Sequence, residues 1–302
     1  MSADIGRLLT AMVTPFKSDG AVDYEAAEKL AVLLAADGSD GVVVSGTTGE
    51  SPTLNDDEKI ELIKAIKKAI PGKSVVAGTG SNDTHHSVKL SQRAMKAGAD
   101  ALLGVVPYYN KPPQEGMYQH FKAIAEVGPT IMYNIQGRTA INMTAATTLR
   151  CAELPGIIGV KEASGDLDQI GLVCAGKSAG FKIWSGDDSW TLPVLAVGGY
   201  GVICVVSHIA GRSMKKMIDA YSNGEHEVAQ KIHGGLLPVI KTLMTTAANP
   251  VPIKSLLNAM GFAAGPFRLP LVPLTKDQLD SVMQIVHEAG DLITFKTGVK
   301  VA

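Results

Sequence analysis

Apolar runs of strand length alternate with segments of helical periodicity from the N-terminus to beyond position 200, and this alternation is the largest-scale pattern in the chain. It predicts strands over Leu8–Thr14, Gly41–Ser45, Ser74–Gly78, Ala101–Pro107, Thr130–Tyr133, Ile157–Lys161, Lys182–Ser185 and Gly201–Val206. Amphipathic helices lie between them. In Asn55 to Ile70 the residues Ile60, Ile63, Ile66 and Ile70 form one apolar stripe, with lysines and glutamates on the other side. Asn55 caps this helix, Asp56, Asp57 and Glu58 occupy the first turn, where the helix dipole favours negative charge, and Pro71-Gly72 stops it.

Eight βα units joined by right-handed crossovers close into a barrel, so the predicted class is α/β, a (β/α)8 TIM barrel with a C-terminal helical extension. The competing fold is an open doubly wound sheet, which carries a glycine fingerprint after its first strand; Thr14-Pro15-Phe16 is no such loop. Three further helical segments follow the eighth unit, near Glu225 to Ala247, Pro252 to Met260 and Lys276 to Phe295. Asn249-Pro250-Val251-Pro252 separates the first two, and Pro252 suits a first helical turn. The chain is accordingly divided into a barrel with the catalytic site over 1–224 and a helical extension over 225–302, with no linker rich in Gly, Ser or Pro between them. The extension either covers the barrel's side or forms a subunit contact.

Composition narrows the class. The chain has 302 residues, 46% hydrophobic and 19% charged, which is enough for one large core. A net charge of -1 without basic blocks argues against nucleic acid or an anionic membrane as the main partner. The apolar run Leu8 to Val13 is too short to span a bilayer, and Pro15 interrupts it. Cys151, Cys174 and Cys204 have no metal-ligand or redox spacing, which suits a reducing cytoplasm. A cytoplasmic enzyme without cofactor or metal is expected.

In a barrel the C-terminal strand ends and the loops after them build the active site. Ile157 to Val160 is apolar or glycine, and Lys161 follows at the end of that strand. Alternation puts Lys161 on one face with Gly159 and Ala163, and Val160 and Glu162 on the other, so the lysine side is roomy and nearly free of charge. An ammonium in such a setting loses hydration, and the neutral amine becomes a nucleophile toward a carbonyl, the requirement for Schiff-base chemistry. A lysine whose stem packs while its head reaches solvent is the competing account.

Other strand ends add weight. Gly46-Thr47-Thr48-Gly49-Glu50-Ser51 forms a tight loop whose backbone N–H groups suit a carboxylate, although ordinary turns share this composition. Pro107-Tyr108-Tyr109-Asn110 carries two adjacent tyrosines that point in opposite directions, so one can enter the site and the other a neighbouring surface; simple packing of both rings is the alternative. The Tyr133 hydroxyl is placed to relay protons to an imine on Lys161, or else bonds only to backbone. Arg138 in the following loop can clamp a carboxylate or remain a solvated loop arginine. Asp187 and Asp188 after the seventh strand read as helix caps rather than metal ligands, and His85 and His86 diverge on their helix. Together these residues describe a lysine-dependent carbonyl enzyme acting on small carboxylates.

The set Gly46-Thr47-Thr48-Gly49-Glu50-Ser51, Pro107-Tyr108-Tyr109-Asn110-Lys111-Pro112, Tyr133-Asn134 with Arg138, Gly159-Val160-Lys161-Glu162-Ala163 and Ser185-Gly186-Asp187-Asp188 resembles the dihydrodipicolinate synthase family. The resemblance covers nearly the whole chain, including Asn249-Pro250-Val251-Pro252-Ile253-Lys254 and Arg268-Leu269-Pro270. It implies a Schiff base between Lys161 and pyruvate whose enamine attacks aspartate semialdehyde, in diaminopimelate and lysine biosynthesis. It further implies a proton relay of Thr47, Tyr133 and Tyr109, the last reaching into a neighbouring subunit's site. Thr48 would hold the pyruvate carboxylate and Arg138 that of the semialdehyde. Gly186 and Ile203 would line the pyruvate pocket, Ile203 through its backbone, and the implied assembly is a homotetramer of tight dimers.

Two departures stand out. Gln136 replaces a common proline in the loop before Arg138, which implies a less rigid loop. At the positions that supply histidines and a glutamate for lysine binding in feedback-sensitive members, this chain has Asp56, Lys59 and His86, which implies weak or absent lysine inhibition. The rival functions are another pyruvate aldolase on the same barrel, such as N-acetylneuraminate lyase or a 2-keto-3-deoxy sugar acid aldolase, and a non-catalytic keto-acid-binding barrel.

Overall fold

The computed structural model describes residues 4–297, so residues 1–3 and 298–302 of the two predicted segments lie outside the described residues. Eight parallel strands pair in sequence order and β8 pairs back to β1, a closed barrel. They are β1 (Leu8–Ala11), β2 (Gly41–Val44), β3 (Ser74–Gly78), β4 (Ala101–Val105), β5 (Thr130–Asn134), β6 (Ile157–Glu162), β7 (Lys182–Ser185) and β8 (Gly201–Cys204). Around them run α1 (Tyr24–Ala36), α2 (Asp56–Ala69), α3 (Thr84–Lys96), α4 (Gln114–Ala125), α5 (Gln136–Thr139), α6 (Ala145–Ala152), α7 (Leu167–Gly176), α8 (Thr191–Ala196) and α9 (Ser207–Ser222). The extension comprises α10 (His226–Thr245), α11 (Val251–Ala259) and α12 (Lys276–Glu288).

The strand alternation sorts side chains between two cores. Leu9, Ala11, Val43, Val76, Leu103, Ile131, Tyr133, Trp184 and Ile203 fill the barrel interior. Leu8, Val42, Val44, Val75, Ala77 and Leu102 face outward onto the helices, in a cluster that also takes in Ile232, Leu236 and Val282 of the extension. The extension therefore packs on the barrel's own apolar layer. Asn55 caps α2 as predicted, and Glu58 completes a capping box with it.

Four predicted strands run longer than the observed ones, and the reason is local. Met12 and Val13 are buried although β1 ends at Ala11, because the chain beyond the strand packs under other elements. The Val13 N–H donates to His208 Nε2 at 3.1 Å, while His208 Nδ1 donates to the Val205 carbonyl at 2.8 Å. Val205 and Val206 leave β8 because Asp188 captures their N–H groups at 3.0 and 2.6 Å. Burial of apolar residues in these loops produces the longer apolar runs, although the Met12 and Val106 N–H groups still donate to the Val43 and Tyr133 carbonyls of neighbouring strands.

His208 joins the ends of β1 and β8 only as a neutral ring, since a second ring proton would displace the Val13 N–H. Burial pushes its pKa down to about 4. The sign follows: the unfolded chain binds the proton near pH 6.5 and the folded one does not, so stability falls as pH drops from 6.5 towards 4. This residue alone accounts for a loss of about 2 kcal/mol between pH 7 and pH 5. In urea titrations at both pH values, His208→Gln should be less stable than the parent at pH 7 yet lose about 2 kcal/mol less on acidification. An equal acid loss in both proteins would contradict the assignment.

Candidate active site

At the C-terminal mouth of the barrel lies a cavity of about 510 Å³ with Lys161 and Tyr133 among its walls. The adjacent positions Tyr133 and Lys161 are register partners on β5 and β6, as Lys161 and Trp184 are on β6 and β7. Lys161 is 6% exposed, and its Nζ lies 4.3 Å from the centroid of the Tyr133 ring. No carboxylate forms an ion pair with it among the described residues. The face it shares with Gly159 is not open below, however. A Cβ at Gly159 would sit 2.7 Å from Trp184 Cζ3, so the glycine admits the indole and the indole closes the floor beneath the lysine. Room remains above: Gly186 also lines the cavity, and a Cβ there would come within 3.2 Å of Lys161 Cγ.

Glu162 points to the opposite face, as alternation requires. It is buried and accepts hydrogen bonds from the Ser164 N–H at 2.8 Å and from Asn134 Nδ2 at 3.1 Å. Burial raises its pKa above the usual carboxylate range, against these bonds. The same Asn134 binds Asn142 and Met143, which fastens the loop beyond α5 to the barrel wall.

The loop after β2 brings Thr47 and Thr48 into the cavity. Its turn is closed by Gly49 N–H to Gly46 O at 3.1 Å and by Glu50 N–H to Thr47 O at 3.1 Å. The N–H groups of Thr47 and Thr48 carry no backbone bond among the described residues and are free for an anion. Glu50 ends the loop in the left-handed region, with φ 56°. This conformation is held from behind, because its carboxylate meets Lys254 Nζ at 2.6 Å in a pair with both side chains fully buried. The second Glu50 oxygen accepts the Arg268 N–H at 3.1 Å, and Lys254 Nζ also lies 4.1 Å from the centroid of the Phe16 ring. Burial lowers the Lys254 pKa to about 8, with Glu50 acting against that fall.

Arg138 sits in α5, where Gln136 takes the first helical position; the helical turn forms without proline there. Its guanidinium lines the cavity and has no carboxylate partner among the described residues; Nη2 donates to the Asn249 carbonyl at 3.2 Å. Asp187 caps the turn at 188–190 as expected. Asp188 instead holds the segment after β8, and burial pushes its pKa up to about 6.

Two predicted residues stand apart. Tyr109 is 89% exposed, with φ 72°, and does not line this chain's own cavity. The Ile203 side chain belongs to the barrel-interior core and is not part of the cavity wall, where Val205 appears instead. Sequence reasoning assigned no role to Asn249 or Lys254. Their signal was a lone lysine inside the apolar run Val251 to Leu257, which needed a buried acid to match it.

A second cavity of about 560 Å³ adjoins the first, sharing Thr47, Tyr133 and Arg138. It runs to Asp56, Lys59, Tyr108 and His86, with His86 Nε2 2.9 Å from Asp56.

The sequence profile of the dihydrodipicolinate synthetase family matches residues 4–289. The 4-hydroxy-tetrahydrodipicolinate synthase of Moorella thermoacetica is 52% identical over 288 residues, covering 94% of this chain and 98% of that protein. The crystal structure of the Cyanidioschyzon merolae enzyme with lysine bound superposes with a TM-score of 0.92 at 44% identity, covering 95% of this chain and 98% of that one. The chloride-inhibited dihydrodipicolinate synthase from Acinetobacter baumannii complexed with pyruvate gives 0.91 at 35% identity, covering 95% and 99%.

The ion pair behind the loop yields a prediction. Lys254→Met leaves the Glu50 carboxylate buried without its cation, which should cost about 3–5 kcal/mol of unfolding free energy. Adding Glu50→Gln to that variant should recover a large part of the loss. Urea unfolding of parent, single and double variants measures both; a double variant no more stable than the single would refute the pairing energetics.

Proposed function

The chain belongs to the dihydrodipicolinate synthetase family, and we propose that it catalyses the 4-hydroxy-tetrahydrodipicolinate synthase reaction, the condensation of pyruvate with aspartate semialdehyde. The observation that carries the reading is Lys161, 6% exposed and without an acidic partner among the described residues, beside Tyr133 in a cavity that also presents Thr47, Thr48 and Arg138. The neutral Lys161 amine attacks C2 of pyruvate, and the carbinolamine loses one water to give the imine. A proton leaves C3, the enamine carbon attacks the aldehyde carbon of the semialdehyde, and the aldehyde oxygen takes up a proton as the new hydroxyl. The substrate's amino group then adds to C2 and expels the Lys161 amine, closing the ring.

Thr47 and Tyr133 relay these protons, with Tyr109 of a neighbouring subunit as the third member; its exposure and positive φ support a ring that reaches outward. Thr48 and the free N–H groups of its loop hold the pyruvate carboxylate, and Gly186 and the Ile203 backbone border it. Arg138, a cation without a carboxylate partner among the described residues, holds the acceptor's carboxylate, which favours this acceptor over a polyol chain. The assembly is a homotetramer built from tight dimers, acting in the cytoplasm; no helix among the described residues is long and apolar enough to cross a membrane. The barrel, predicted over 1–224, carries the lysine, and the described part of the extension braces it through Asn249, Lys254 and Arg268.

The adjoining cavity does not respond to lysine in this chain. A bound lysine's ammonium would face Lys59, while the Asp56 carboxylate is already engaged by His86. Steady-state rates should therefore stay flat with low-millimolar L-lysine, and a clear drop would overturn this point.

Borohydride reduction in the presence of pyruvate tests the mechanism directly. The expected result is one adduct on the peptide containing Lys161, absent in Lys161→Ala. A folded parent that pyruvate leaves unmodified at Lys161 would sink the reading.

A further inference from the structure

The cavity's two carboxylate anchors come from opposite sides of the barrel mouth, Thr48 after β2 and Arg138 after β5, yet both touch one residue of the extension. Asn249 Nδ2 donates to Thr48 Oγ1 at 2.9 Å, and the Asn249 backbone carbonyl accepts from Arg138 Nη2 at 3.2 Å. We infer that Asn249 is a positioning residue for the condensation: its side-chain amide turns the Thr48 hydroxyl proton into the cavity, and its carbonyl holds the Arg138 guanidinium facing the same space. The inference rests on the function proposed above.

The argument is one of hydrogen-bond capacity. A threonine hydroxyl has one proton to give and lone pairs to receive. Asn249 donates into a lone pair, so the Thr48 proton points elsewhere, and no acceptor takes it among the described residues. Thr48 is 3% exposed, which leaves the cavity as the direction open to that proton. An arriving carboxylate supplies the missing acceptor. With an acceptor in place of the amide donor, the hydroxyl would turn away from the substrate and towards residue 249. Asn249 Oδ1 is itself buried without a partner among the described residues, so the side chain is held by its amide nitrogen rather than by a closed network.

The brace is firm on the side away from the cavity. Lys254, on the helix that follows, is the residue paired with Glu50 at the end of the Thr48 loop. Loop and extension are thus joined twice, once by the buried ion pair and once by Asn249.

The test is steady-state kinetics on Asn249→Ala, Asn249→Asp, Thr48→Val and the Thr48→Val/Asn249→Ala double variant, each checked by thermal melting. Loss of one directing hydrogen bond should raise the pyruvate KM of Asn249→Ala about tenfold, with kcat within about threefold. The KM for aspartate semialdehyde should move much less, because the backbone carbonyl that holds Arg138 remains. Asn249→Asp keeps the shape but accepts the Thr48 proton and sets a negative charge beside the pyruvate carboxylate. Its pyruvate KM should rise about a hundredfold and ease as pH falls towards the introduced carboxyl's pKa. In the Thr48→Val background, Asn249→Ala should add nothing to the pyruvate KM.

An aspartate variant no worse than the alanine one, or an undiminished alanine effect without the Thr48 hydroxyl, would overturn the inference in favour of simple space filling. If Asn249→Ala fails to fold, the isosteric Asn249→Asp alone decides through its pH-dependent KM. Borohydride trapping of pyruvate on parent Lys161 separates the two levels. A trapped parent with unaltered pyruvate KM in the variants removes the inference alone, and an untrapped parent removes the functional reading and the inference with it.

Discussion

A fully buried ion pair between Glu50 and Lys254 ties the active-site loop to the C-terminal extension, and much of the site's order depends on it. Burying two charges is costly unless they meet each other and their remaining valences are filled. Here both ions have a further partner: Glu50 takes the Arg268 N–H with its second oxygen, and the Lys254 ammonium rests against the Phe16 ring. Arg268 in turn reaches Glu58 at the head of α2 and the carbonyls of Thr53 and Gly20. The segment from Gly20 to Glu58 is thereby clamped from outside the barrel. Thr47 and Thr48, held inside that segment, inherit a fixed position without needing contacts that would compete with a substrate.

The barrel was readable because a parallel strand buried on both faces writes itself as an apolar run, and helices write themselves as stripes. Lys161 was readable for the same reason, since a lysine at the end of Ile157 to Val160 breaks the pattern that surrounds it. Strand ends were less so. Val13, Val205 and Val206 are as apolar as the strands they follow, but a histidine ring and a carboxylate take their N–H groups instead of a ladder partner. Periodicity reports burial, and it does not report which acceptor a buried N–H finds.

The brace was illegible for a different reason. Asn249 and Thr48 are 201 positions apart, and Lys254 and Glu50 are 204 apart. Nothing local to Asn249-Pro250-Val251-Pro252 states what its amide touches, and its proline content reads as a helix boundary, which it also is. Tyr109 shows the complementary limit. Its ring lies 89% exposed on a positive-φ residue, so any role proposed for it depends on what would stand opposite it, which neither a local sequence nor one folded chain contains.

Charge placement around the cavity follows one rule. Lys161 and Arg138 face it without carboxylate partners among the described residues. The acids that line the cavity are occupied elsewhere: Glu162 by Ser164, Asn134 and Gln169, Asp187 by Ser189, and Asp188 by the N–H groups after β8. Burial raises the pKa of Glu162 and Asp188, which further weakens their competition for the Arg138 guanidinium. A site arranged in this way keeps its positive charge for what enters it. Two substrates that each brought a carboxylate would satisfy both the guanidinium and the Thr48 loop, whereas a neutral aldehyde would leave Arg138 with the Asn249 carbonyl as its hydrogen-bond partner among the described residues.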